Sequence, residues 1–274
     1  MSATESYIDP RVTALLVIDM QKGFCHPESR MEKSGVGTAN QRAIVPDLLR
    51  LVDLARDYEL PVFWSQQIHF PEDVTRRRRR IPSHQAKQRW TPCLRGTWEV
   101  EFADEVVPAM RPEDYVIEKH RASVLFETTL DTKLRMLGIE MLLISGCNTD
   151  FCVETTIRDA YYRDLEVVVI RDCVAGPRWN FHEDTLAKVE TYFGAVVRLE
   201  ELPSLIVPGV RAGDARPIVE EVAEELAESP RVIPPAHEPP SSSTFAASSS
   251  TSRARCCKRM QPKPTRKVRH DECE

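Results

Sequence analysis

The chain has 274 residues, 42% hydrophobic and 29% charged, with a formal net charge of −5. That length supplies a sizeable core in one large domain or two small ones, and the apolar share is too high for a wholly disordered chain. Only 10 glycines exclude a collagen-like repeat, no apolar run approaches the roughly 18 residues of a membrane span, and the acidic balance makes nucleic acid an unlikely partner.

Taken in order, short apolar runs alternate with amphipathic helical patterns. Ala14 to Ile18 is a continuous apolar run, as expected of a strand buried on both faces of a parallel sheet. Asn40 to Glu59 follows as a helix with Ile44, Leu48, Leu51, Val52 and Ala55 on one side, and Pro61 to Ser65 is a second strand. Phe70 to Glu99 is a polar stretch longer than ordinary loops, which marks a functional or mobile segment. A strand at Tyr115–Glu118 and a helix across Thr129–Leu137 come next. Then follow a strand at Met141–Ser145, a helix from about Phe151 to Arg163, a strand at Val167–Ile170, a helix at His182–Tyr192 and a strand at Ala195–Leu199. Strands separated by such helices predict a three-layer α/β/α sandwich around a six-stranded, mainly parallel, Rossmann-like sheet.

The chain changes character near Pro203. Residues 1–202 read as one domain and 203–233 as an extension in which 217–227, opened by Pro217, could form a short acidic helix. Residues 234–274, Ser- and Pro-rich and then basic, read as a disordered tail. Met1 to Arg11 has no apolar core of a secretory leader, so a cytoplasmic location is expected. The eight cysteines form no C-x-x-C pair, and in a reducing compartment each is a small buried hydrophobe or a nucleophile.

In an open α/β sheet, ligands gather at the carboxyl ends of the strands. Asp19 stands at the end of the first strand and Lys119 at the end of the third. The fourth turns through Cys147, Asn148, Thr149, Asp150 and Phe151 to Cys152, which opens a helix. Each has a plain reading alone: a turn-forming Asp, a solvated Lys, a small core Cys. Together a carboxylate, a cation and a thiol at one rim make an apparatus for nucleophilic acyl transfer. A thiol at a helix N-terminus is expected to be acidified by the orphan N–H groups, and a nearby ammonium favours the thiolate further.

The segments TALLVIDMQKGF, KHRASVLFETTL and GCNTDFCVETTIRDA resemble, in order and spacing, the three signatures of the isochorismatase-like cysteine hydrolases. The resemblance spans about residues 11–202, and Gly146, Thr149, Cys152 and Val153 match its G-x-x-T-x-x-C-V pattern in full. It implies catalytic roles for Asp19, Lys119 and Cys152 and a non-proline cis peptide at Cys147–Asn148. It also implies an oxyanion hole from the backbone N–H groups of Asn148 and Cys152, and a homodimer or homotetramer.

Within that family, nicotinamidases carry a metal-binding Asp-x-His after the second strand, where this chain has Gln67, Ile68 and His69. A neutral amide is a poor metal ligand, so neither metal nor other cofactor is expected, although His69 with Asp73 or His84 is a conceivable site. Lys119-x-Arg121-x-Ser123, continued by Thr128 and Leu130, is similar to the ureidoacrylate amidohydrolases and suggests a small amide or ureide substrate. Arg121 and Ser123 serve equally well to order the strand-to-helix loop. Phe24, Trp90 and Phe151 are candidate pocket walls, with Gln67, His69 and Asn148 as polar groups, and Asp172 reads as a turn cap after the fifth strand. Two alternatives stay open: a vinyl-ether hydrolase of the isochorismatase kind, and a binding or regulatory protein using the basic tail. The run Arg76 to Arg80 reads as a solvated face, a patch that attracts an anionic substrate to the cleft, or a dock for another subunit.

Overall fold

The structure is a computed structural model that describes residues 7–73, 80–81 and 91–214. The expected 217–227 helix, the 234–274 tail, Arg76 to Arg79, His84 and Trp90 lie outside the described residues.

Six strands form one sheet: β1 Thr13–Ile18, β2 Val62–Gln67, β3 Tyr115–Lys119, β4 Met141–Cys147, β5 Glu166–Ala175 and β6 Ala195–Val197. Their order is β3-β2-β1-β4-β5-β6, and every pairing is parallel. All of β1 and β4 is buried, which explains their unbroken apolar sequence. Alternate residues serve two cores. Leu15, Val17, Trp64, Leu143 and Val168 meet Leu48, Leu51, Val52 and Ala55 of the helix Val45–Asp57. On the other face Leu16, Ile18, Phe63, Leu142 and Ile144 meet the helices Leu130–Met136, Glu154–Tyr161 and Trp179–Tyr192. Each fully buried Leu or Ile contributes about 1.5–3 kcal/mol, so both faces must be covered for the sheet to persist. This is the three-layer architecture expected from the sequence.

Strand order reverses between β1 and β4, so the chain leaves their carboxyl ends in opposite directions and opens the crevice where such folds hold ligands. Gly146 makes the approach of these two ends possible. Its φ is +103°, and a Cβ there would lie 2.1 Å from the carbonyl oxygen of Ile18. Only glycine fits both demands.

Three expectations are corrected. The helix predicted over Asn40–Glu59 is two pieces, Ala39–Ala43 and Val45–Asp57, because Pro46 cannot continue a helix but suits the first turn of a new one. The helix expected from Phe151 starts instead as a π-helical turn, Thr149–Val153, and becomes α-helical at Glu154. Asp172 lies within β5 rather than after it, because β5 runs on past a register shift to pair Val174 with Gly146 and Ala175 with Cys147. Its Oδ2 accepts from the N–H of Leu199 at 2.8 Å. Beyond residue 202, Leu205 and Ile206 are buried in the first core, and the N–H of Val207 donates to the carbonyl of Ile8.

Candidate active site

Asp19 follows β1 in a left-handed conformation, φ 53°, and is 1% exposed. Its Oδ2 lies 2.7 Å from Nζ of Lys119, the last residue of β3, which is fully buried. The same ammonium donates to Oε1 of Gln67 at 2.8 Å and to the carbonyls of Arg121 and Ala122, each at 3.1 Å. On its remaining side it approaches Sγ of Cys152 at 3.5 Å. Carboxylate, ammonium and thiol, from the ends of β1 and β3 and the turn after β4, thus meet around one nitrogen.

Burial alone would lower the Lys119 ammonium, but Asp19 and the Cys152 sulfur outweigh it and hold it above its ordinary value. The thiol behaves contrary to the sequence expectation. Desolvation dominates over the helping charge of Lys119, Asp19 opposes ionisation, and the Cys152 pKa is pushed up to about 12. At neutral pH the resting group is therefore a thiol, and attack by its sulfur would need a base to take the proton.

The π-helical turn fixes the thiol. The peptide between Cys147 and Asn148 is cis, and the carbonyl of Asn148 accepts from the N–H groups of Phe151 and Val153 at 3.0 and 3.1 Å. The carbonyl of Cys152 accepts from Oγ1 of Thr156 at 2.7 Å. Nε2 of Gln41 donates to Oδ1 of Asn148 at 2.8 Å, and Arg178 pairs with Asp150 at 3.3 Å.

Above the thiol is a cavity of about 300 Å³. Phe24, Gln67, His69, Asn148, Phe151 and Cys152 all line it, as do Phe181 and Arg178. Of the pocket residues expected from sequence, Trp90 alone falls outside the described residues. A larger cavity, about 640 Å³, lies at the opposite, amino ends of β4, β5 and β6. Among the described residues its walls include Tyr161, Tyr162, Phe193, Asp164 and Glu166 but no Cys, His, Lys or Arg, so it has no thiol like that of the smaller one.

The sequence profile of the Isochorismatase domain matches residues 13–201. The chain belongs to the isochorismatase-like hydrolase family. It is 31% identical over 206 residues to the ureidoacrylate amidohydrolase RutB of Methylobacterium radiotolerans, covering 69% of this chain and 77% of that protein. Among solved structures, the N-carbamoylsarcosine amidase of Thermoplasma acidophilum is 28% identical with a TM-score of 0.57, covering 69% of this chain and 97% of that one. An isochorismatase-like hydrolase of Alkaliphilus metalliredigens is 25% identical with a TM-score of 0.57, covering 69% of this chain and 96% of that one.

In this isochorismatase-like chain, Gln67 directs its oxygen at Lys119. His69 is clamped to the returning loop: its Nδ1 lies 2.6 Å from the carbonyl oxygen of Pro92, and its backbone N–H donates to the carbonyl of Cys93 at 2.9 Å. Asp73 pairs with Arg121 at 3.1 Å. Among the described residues no three His, Cys, Asp or Glu side chains converge on one point. Ser123 donates to Asp159 at 2.6 Å and accepts from the N–H of Leu125, so it orders the loop after β3. Arg121 contributes its carbonyl to the Lys119 cage.

Sequence reasoning missed Ser65, whose hydroxyl bonds Asp19, and Gln21. The Gln21 amide exchanges hydrogen bonds with the N–H and carbonyl of Gln67 at 2.7 and 3.0 Å, pinning the end of β2 to the turn after β1. For Ser65 the available signal was a hydroxyl directly after the apolar run Pro61 to Trp64. No helix among the described residues is long and apolar enough to cross a membrane.

Proposed function

We propose that this chain is a cysteine amidohydrolase that cleaves a non-peptide C–N bond of a small amide or ureide. The observation that carries the reading is the buried contact of Lys119 Nζ with Asp19 at 2.7 Å and with the Cys152 sulfur at 3.5 Å, beneath a small-molecule cavity. Because burial keeps the thiol protonated, the nucleophile is generated on demand. Asp19 accepts the Cys152 proton as the sulfur bonds to the carbonyl carbon, whose oxygen takes the negative charge. The backbone N–H groups of Asn148 and Cys152 serve as donors to that oxygen, each worth about 3 kcal/mol.

Collapse of the tetrahedral adduct breaks the C–N bond, and Asp19 returns its proton to the departing nitrogen. A thioester on Cys152 remains. Water, deprotonated by Asp19, attacks its carbonyl, and the departing sulfur recovers a proton from the same carboxyl. Lys119 stays cationic throughout and offsets the charge that passes between carboxylate and sulfur. The relatives named as ureidoacrylate amidohydrolase and N-carbamoylsarcosine amidase support a ureide or carbamoyl substrate. The cavity's modest volume supports a small one.

The test is release of ammonia or amine from a panel of nicotinamide, ureidoacrylate, biuret, N-carbamoyl amino acids and maleamate, by wild type and Cys152→Ala, with and without chelator. Chelator-resistant turnover abolished in the variant, with a trapped acyl group on Cys152, is the expected result. Turnover that survives loss of the thiol overturns the covalent route and favours direct attack of water on the carbonyl. Retention on heparin without hydrolysis favours a binding protein.

A further inference from the structure

His182 is a buried titratable side chain to which the proposed reaction assigns no step. It lies in the first turn of the helix Trp179–Tyr192, is 3% exposed, and places Nδ1 2.9 Å from Oγ1 of Thr149. Trp179 stacks on its ring at 4.8 Å with an interplanar angle of 22°. Burial holds the imidazole below its ordinary value and favours its neutral form, which has one donor and one acceptor nitrogen. Thr149 is itself fully buried and is the first residue of the turn that carries Cys152. A buried hydroxyl in contact with a ring locked by stacking has little freedom, so the two clamp the turn's leading end to a long helix.

We infer that His182 is a positioning residue that, through Thr149, fixes the π-helical turn so that the N–H groups of Asn148 and Cys152 converge on one oxygen. The inference rests on the proposed hydrolysis. Gln41 holds the Asn148 side chain, Arg178 holds Asp150 and Thr156 holds the Cys152 carbonyl. His182 adds the hold on Thr149, between the two donor-bearing residues. A shift of about 1 Å in such donors is enough to cost catalysis without changing how the ground-state substrate binds.

The test compares His182→Leu and His182→Asn with Thr149→Val and Thr149→Ser. In His182→Leu and Thr149→Val, kcat falls roughly 10-fold or more while KM stays within about three-fold. Asn keeps a polar group near the position of Nδ1, and Ser keeps the hydroxyl, so both recover most of the rate. The double variant His182→Leu/Thr149→Val is no slower than the worse single, as a shared contact requires. A near-wild-type kcat in His182→Leu, additive losses, or a rise in KM alone overturns the inference. If His182→Leu does not fold, the Thr149→Val and Thr149→Ser pair decides by the same criteria.

A wild type inert toward every amide and ureide sinks the proposed hydrolysis instead. The inference is then judged by iodoacetamide labelling of Cys152, followed on its own peptide by mass spectrometry. A labelling rate changed more than about three-fold in His182→Leu and restored in His182→Asn supports it, and a smaller change overturns it.

Discussion

The hydroxyl of Ser65 donates to Oδ1 of Asp19 at 2.6 Å and accepts from the Asp19 N–H at 3.1 Å. One side chain from β2 thus holds both the backbone and the carboxylate of an acid whose φ of 53° is uncommon for any residue but glycine. Ser65→Ala strips a buried donor and a buried acceptor of their partner, at a cost of about 1–3 kcal/mol. A lower melting temperature and a kcat reduced roughly 10-fold are expected, since a tenfold rate loss needs only about 1.4 kcal/mol in the transition state. Thermal melts and steady-state kinetics check both.

The alkaline limb of stability carries the mark of Cys152. Its pKa is raised from 9.0 to about 12 in the folded chain, so between those values the native state holds a proton that the unfolded state has lost. The stabilisation is complete below pH 9 and is lost as pH rises toward 12. Urea unfolding as a function of pH should therefore fall less steeply over that interval in Cys152→Ala than in wild type. Identical slopes would contradict the buried-thiol account.

Asp114 anchors the far end of the sheet. Its Oδ2 accepts from Arg56 at 2.6 Å, from Nε1 of Trp64 at 2.8 Å and from the N–H of Arg111 at 3.0 Å. Asp114→Ala leaves the mostly buried Arg56 uncompensated, and removal of one partner of such a pair typically costs about 3–5 kcal/mol. The expected result is a large loss in denaturant midpoint with a red-shifted Trp emission. Turnover per folded molecule should be unchanged, because Asp114 precedes β3 at the end opposite Lys119.

Gly146→Ala should abolish soluble protein. Its added Cβ would lie 2.1 Å from the Ile18 carbonyl oxygen at a φ of +103°, combining backbone overlap with an unfavourable dihedral. Gly96→Ala is the control. Its φ is +80° but a Cβ there meets nothing within 4 Å, so only the dihedral cost of about 1–2 kcal/mol remains. Comparable soluble yields for the two would remove the close β1–β4 approach as a requirement.

Much of this molecule was legible in its sequence because apolar periodicity is local. Unbroken runs such as Ala14 to Ile18 and Met141 to Ser145 mark strands covered on both faces, and strand-to-turn transitions put Asp19, Lys119 and Cys152 at a common rim. Pro46 was visible too, and it restarts the helix at Val45 because its ring suits a first turn and not a helix interior. What tertiary structure alone decided is of another kind. Strand order brought residues a hundred positions apart around one ammonium, and it supplied Ser65 to Asp19, Gln21 to Gln67 and His182 to Thr149. The sign of the thiol's shift was decided there as well. A lysine nearby argues for a thiolate, but desolvation is a property of everything packed around the sulfur, and at Cys152 it outweighs the charge of Lys119.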